Sequence, residues 1–194
     1  KVTYANMSNS REFLQFVGHG DNDCITFNQI YTYNKKRKKL NCINSFNTNT
    51  SYQNEIVAAD KNYVTIHNSD QPAEVGWISW NIPYKYSKGK LVAATTSTTT
   101  VKSLIANNKK DKYSKYFAKN QFVTAKKLTF YNGSKVAYTV PKGKVVTLTK
   151  LSLSKDVIYL QFKYGKKTGW AHVNGTKYNF SKPWFQGVNA RLAG

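Results

Sequence analysis

The sequence predicts a mainly β protein, on three observations. The chain holds 14 Tyr and 10 Phe among abundant Thr and Val, residues that suit a pleated, half-buried surface. Glu, Ala and Leu, on which long helices draw, are scarce. Apolar runs are short and punctuated by Gly, Asn and Pro.

Taken in order, residues 13–17 and 24–27 read as short strands around a turn cluster, Gly18-His19-Gly20-Asp21-Asn22-Asp23. Tyr31-Thr32-Tyr33-Asn34 leads into residues 35–39, the densest basic run, with Arg37 at its centre. Five adjacent charges cannot all be buried, so a hairpin tip or exposed loop is expected there. Residues 44–54, rich in Asn, Thr and Ser, read as loop. Residues 93–100, Ala-Ala-Thr-Thr-Ser-Thr-Thr-Thr, are the clearest low-complexity stretch and read either as a linker or as a Thr-rich edge strand. Val101, Leu104, Ile105, Tyr113, Tyr116 and Phe117 fall at helical spacing, which fits one short helix or two broken at Asn107-Asn108. From Phe122 the signal is strongly β, with strands over 145–149 and 157–162, a turn at Pro141-Lys142-Gly143-Lys144 and a hairpin loop over 164–169.

Charge divides the chain unequally. Residues 81–194 carry 22 of the 30 Lys and Arg and two acids, Asp111 and Asp156, a net of +20; residues 1–80 carry 8 basic and 7 acidic residues. Such a field costs self-repulsion and is useful when a polyanion meets it. With a charge change and a Thr-rich stretch close together, the expected organisation is a first domain over 1–92 with an N-terminal extension, a linker over 93–100 and a strongly basic domain over 101–194.

Several chemistries are disfavoured. Glycan hydrolysis usually needs two placed carboxylates, and the basic part offers two far apart in sequence. Cys24 with His19, or Cys42 with His67, could be paired as nucleophile and base, but no thiol-peptidase motif surrounds either. His19, Asp21 and Asp23 alternate without the distal Glu of a calcium loop. Cys24 and Cys42 either form one bridge or stay thiols, and neither has the partner spacing of a metal site. No cofactor motif and no bilayer-spanning apolar run occurs. Opening at Lys1 without an apolar leader, the chain reads as a mature or excised segment.

A weak internal repeat is visible. Tyr31-Thr32-Tyr33-Asn34 matches Thr129-Phe130-Tyr131-Asn132, and each is followed by a Gly-Trp pair, Gly76-Trp77-Ile78 and Gly169-Trp170-Ala171. The expected role of each Gly is a tight bend before a bulky ring. This order of aromatic strand, basic turn, long hairpin and late Gly-Trp resembles bacterial SH3-like cell-wall modules of the Gly-Trp type. More narrowly it resembles the wall-binding region of surface-layer proteins of lactobacilli. The residues that carry it are Gly76-Trp77-Ile78, 101–117 with its Lys-rich Tyr-Phe ending, 159–170 and Trp184-Phe185-Gln186-Gly187-Val188, so it covers roughly residues 60–194.

The resemblance implies two small SH3-like β barrels with a short helical insertion around 101–117. It implies a secreted, non-catalytic wall-anchoring region that binds an anionic polymer such as teichoic acid, with self-assembly through other parts of a parent protein. Trp170, Tyr164, Tyr159 and Trp184 are the candidate sugar platforms, and Lys163, Lys166, Lys167, Lys142 and Lys144 the candidate phosphate partners. His172, two residues after Trp170, shares its strand face. The rivals are a non-specific nucleic-acid binder and an adhesin for sulfated host glycans. Lys outnumbers Arg 27 to 3, which argues against base-specific readout.

Overall fold

In a computed structural model the described residues are 1–7, 11–20, 25–46, 54–105, 112–154, 157–173 and 178–188. Among them the chain forms sixteen strands and one four-residue helix, so it is mainly β as the composition predicts. Two compact units divide the chain: Lys1–Ser69 with Asn81–Thr95, and Asp70–Trp80 with Thr96–Gly194. One cut falls between Thr95 and Thr96; the other two fall inside strands, and the one between Trp80 and Asn81 lies where the charge balance changes.

The first unit begins with an antiparallel meander of β1 (Val2–Met7), β2 (Arg11–His19), β3 (Ile25–Asn34) and β4 (Lys39–Ser45), in that spatial order. Alternation sets the buried face: Phe13, Gln15 and Val17 of β2 are buried while their neighbours are not. The basic run forms the β3–β4 turn, closed by Asn34 Oδ1 accepting the Arg37 N–H at 3.0 Å. Then follow β5 (Glu55–Ala59), β6 (Val64–Asp70), β7 (Ile78–Ser87) and β8 (Lys90–Ala93), of which Asp70 and Ile78–Trp80 belong to the second unit. The core gathers Met7, Phe13, Ile30, Ile56, Val64, Ile66 and Leu91. One polar group inside it is fully used. Gln15 Nε2 donates to Asn28 Oδ1 at 2.8 Å and to Asn54 O at 2.6 Å, and its Oε1 accepts the Ile56 N–H at 2.7 Å. This network fixes the entry of β5 and offsets the cost of burying an amide. Cys42 is an exposed thiol on β4; Cys24, with Asp21 and Asp23, lies outside the described residues, as do residues 47–53.

The second unit contains β9 (Ser97–Thr98), β10 (Lys102–Ser103), α1 (Ser114–Phe117), β11 (Gln121–Val123), β12 (Leu128–Asn132), β13 (Lys135–Val140), β14 (Val145–Ser154), β15 (Val157–Tyr164) and β16 (Lys167–Val173). Seven of these strands form one curled antiparallel sheet, a half-barrel, in the order β11-β14-β15-β16-β12-β13 with β9 beside β14. Its concave side holds a phenyl cluster. Phe122 and Phe185 have centroids 5.0 Å apart, Phe162 and Phe185 5.4 Å, Phe130 and Phe162 5.3 Å, and all four rings are fully buried. Phe185 arrives on a late segment that hydrogen-bonds as a strand would: Ala125 N–H donates to Trp184 O at 2.7 Å, and Gln186 N–H to Val123 O at 2.8 Å.

Three local expectations are corrected. The Thr-rich stretch is not free linker throughout, because Ser97–Thr98 pairs with β14 and Thr96 O accepts the Leu153 N–H at 2.7 Å. Of the helical spacing over 101–117, only the turn Ser114–Phe117 is helical among the described residues. Lys102–Ser103 is instead a strand against β7, with Val101 and Ile105 buried. Asn120 holds it from the side, donating to Val101 O at 3.0 Å and accepting the Ser103 N–H at 2.9 Å. The two Gly-Trp pairs also differ. Gly76 sits in a turn at φ +69, whereas Gly169 is a strand residue without positive φ, needed for close approach rather than for bending. Both pairs belong to the second unit.

Candidate functional site

The convex face of the half-barrel follows from strand parity and register. On β15, Ile158, Leu160 and Phe162 are buried, so Tyr159, Gln161 and Lys163 point outward. On β16, Gly169, Ala171 and Val173 are buried, so Thr168, Trp170 and His172 share that outer face. Cross-strand pairing aligns them in rows. Tyr131 of β12 stands opposite Trp170, Trp170 opposite Gln161, and Gln161 opposite Lys150 of β14. One row further, His172 stands opposite Tyr159 and Tyr159 opposite Ser152. On the other side Thr168 stands opposite Lys163, and Lys163 opposite Thr147. Rows two residues apart lie about 7 Å from one another, and neighbours within a row about 5 Å.

Two irregularities lie beside these side chains. Alternation along β12 puts Phe130 in the core and Tyr131 outside, while the register shift beside them leaves Ala137 of β13 as the extra residue. A second, at Thr149, lets Lys150 face Gln161, whose side-chain oxygen is held by Thr149 Oγ1 at 3.0 Å. Beneath Trp170, Gly169 has no room for a side chain: a Cβ there would lie 2.9 Å from Phe130 Cβ.

The result is a groove of about 320 Å³ lined by Tyr131, Gly133, Ser152, Tyr159, Trp170 and His172. Tyr131 and Tyr159 are 43% and 36% exposed, enough to offer ring faces to a ligand. Tyr159 and His172 stack with centroids 5.4 Å apart at 30°, which limits the freedom of both. Ser152 Oγ accepts a hydrogen bond from Ser97 Oγ at 3.0 Å. Among the described residues that line this groove there is no Lys, Arg, Asp or Glu.

The nine sequence-derived candidates do not gather at one place. Tyr159 and Trp170 line the groove, and Lys163 stands on the same face at its margin. Lys166 belongs to the two-residue turn between β15 and β16, and Lys167 pairs with Tyr164 just beyond it; both lysines are exposed. Tyr164 faces inward, stacked on Tyr138 at 6.4 Å, so it lies on the opposite side of the sheet from Trp170. Trp184 is half-buried with its ring edge-on to Phe185 at 6.4 Å. Lys142 and Lys144 flank Gly143 in the β13–β14 turn, which Thr124 clamps by donating to Pro141 O at 2.7 Å and accepting the Lys144 N–H at 3.0 Å. Gly143 and Val145 line a separate hollow of about 190 Å³ with Lys112, Tyr113, Lys115 and Tyr116. Lys112 and Lys115 lie 5.0 and 5.5 Å from the ring centroids of Tyr113 and Tyr116.

Tyr131, Gly133, Ser152 and Lys150 escape the sequence reading because their place depends on which strands pair. His67 Nδ1 is 2.8 Å from Asn81 Oδ1, an amide neighbour, and Cys42 Sγ donates to Asn44 O at 3.5 Å. Among the described residues no group of three His, Cys, Asp or Glu could hold a metal ion, and no helix is long and apolar enough to cross a membrane. No family model, curated protein or solved structure matches the chain.

Proposed function

We propose that the second unit is a non-catalytic binding module for an anionic cell-wall polymer such as teichoic acid, the anchoring region of a Gram-positive surface or surface-layer protein, working outside the cell. The observation that carries this reading is the convex face of β12, β16, β15 and β14: an aromatic groove bordered by Lys150 and Lys163, in a stretch with 22 basic residues and two acids. Each lysine contributes a weak, screened attraction, and a repeating polyanion sums them with counterion release. In this reading the two units are small SH3-like barrels. The curled seven-stranded sheet supports that for the second, and Ser114–Phe117 is the remnant of its helical insertion.

The test is the salt dependence of binding by the full chain. Log affinity for purified wall polymer should fall linearly with log salt. Changing Lys166 and Lys167 together to Gln should flatten the slope by up to about 1.5, with an unchanged thermal midpoint because both side chains are exposed. Salt-independent binding, unaltered by the double substitution, would rule out the electrostatic mechanism at this hairpin. Tighter binding to single-stranded DNA or heparin than to wall polymer would transfer the module to one of those ligands.

A further inference from the structure

We propose that the groove of Tyr131, Tyr159, Trp170 and His172 is a subsite for an uncharged pyranose ring, distinct in chemistry from the lysines around it. The inference rests on the wall-polymer reading and divides its ligand in two: sugar faces enter the groove, and phosphates stay outside it. The deciding observation is the lining. The second unit is densely basic, yet among the described residues of this groove there is neither Lys nor Arg. A phosphate site would place at least one cation where the anion sits.

The groove offers what a sugar ring uses instead. Ring faces of Tyr131, Trp170 and Tyr159 present aromatic carbon for the apolar C–H face of a pyranose. The phenol groups of Tyr131 and Tyr159, the hydroxyl of Ser152, the indole N–H and the imidazole of His172 supply polar atoms for hydroxyls at the ring edge. About 320 Å³ is at the small end of ligand clefts, roughly 300–1,000 Å³, and suits one or two sugar units. The site is also partly preorganised, because Tyr159 is stacked on His172. A nucleobase platform uses aromatics too, with a cationic track for the backbone, so oligothymidylate is the competing probe.

The experiment uses the full chain and three probes: wall polysaccharide freed of phosphate with hydrofluoric acid, inorganic polyphosphate and oligothymidylate. Binding is read by tryptophan fluorescence and by amide chemical shifts. The dephosphorylated glycan should bind, perturb the resonances of residues around Trp170, and do so equally at low and high salt. Trp170→Ala and, as a second variant at an exposed ring, Tyr159→Ala should each weaken it about tenfold or more. Lys166→Gln with Lys167→Gln should leave it unchanged. Polyphosphate should show the reverse pattern, salt-sensitive and indifferent to Trp170→Ala. If the dephosphorylated glycan fails to bind while intact wall polymer still does, the groove proposal is overturned and the polymer reading survives; if neither binds, both fall. Oligothymidylate shifting the groove resonances in place of the glycan would also overturn it.

Discussion

Replacing Gly169 with Ala tests how the sheet positions Trp170. The added Cβ would lie 2.9 Å from Phe130 Cβ, 3.0 Å from Ala137 Cβ and 3.0 Å from Tyr138 Cε1, where ordinary contact begins near 3.4 Å. Two of those atoms are themselves Cβ atoms, which move only with their backbones. Relief therefore requires β16 to lift from β12 and β13, not a rotamer change. Overpacking of this kind costs about 1–3 kcal/mol, and the immobile neighbours place this case at about 2–3 kcal/mol. With a urea dependence of about 2 kcal/mol per molar, the midpoint of the second unit should fall by about 1 M. Ala137→Gly removes one of the three obstacles. In the double variant it should recover about 1 kcal/mol, although alone it costs about 0.5–1 kcal/mol as a strand glycine. Urea unfolding followed by circular dichroism measures all four proteins. A Gly169→Ala variant within about 0.5 kcal/mol of the parent, or strict additivity with Ala137→Gly, would refute the close-approach argument.

Other perturbations separate structural from ligand-facing aromatics. Phe185→Ala should cost about 3–5 kcal/mol in urea unfolding, because the ring is fully buried against Phe122 and Phe162; Trp184→Ala, half-buried, should cost clearly less, and equal costs would contradict the packing described. Burial pushes the Tyr138 phenol up to about 12, while its hydroxyl donates to Phe162 O at 2.6 Å. The pKa is higher folded than unfolded, so its contribution to stability is complete below about pH 10 and is lost as pH rises through about 12. An ultraviolet titration should show a tyrosine step near pH 12 that is missing from Tyr138→Phe; an unchanged step would contradict the burial described. Asn120→Ala removes hydrogen bonds to both Val101 and Ser103 and should cost about 1–3 kcal/mol by leaving the β10 backbone unpaired.

The strands β14 and β15 are legible in the sequence, over 145–149 and 157–162, because each carries its own signal. Alternation in 157–164 and Gly165 at φ +58 fix the β15–β16 hairpin from local sequence alone. The groove was legible only by half. Trp170, Tyr159 and His172 belong to one hairpin, so parity puts them together. Tyr131 and Ser152 join them through pairing between strands distant in sequence, and pairing register is not a local property. Tyr164 shows the converse: it is adjacent to the lysine cluster in sequence, yet strand parity turns it to the inner face. The helical spacing of 101–105 misled because Val101 and Ile105 are buried by an extended segment held by Asn120, a partner nineteen and seventeen residues from the groups it binds. The discontinuous division has a practical consequence. A fragment over 101–194 would lack Asp70–Trp80, which carries the buried Val75, Ile78 and Trp80 of the same unit, so binding is best assigned by substitution in the full chain.

The measurement that bears most directly on the account is cosedimentation of the full chain with purified Gram-positive cell walls, before and after acid extraction of teichoic acid, across a series of salt concentrations. The account predicts strong binding to intact walls at low salt, progressive release as salt rises, and loss of most binding after extraction. Equal binding to intact and extracted walls at every salt concentration would contradict it.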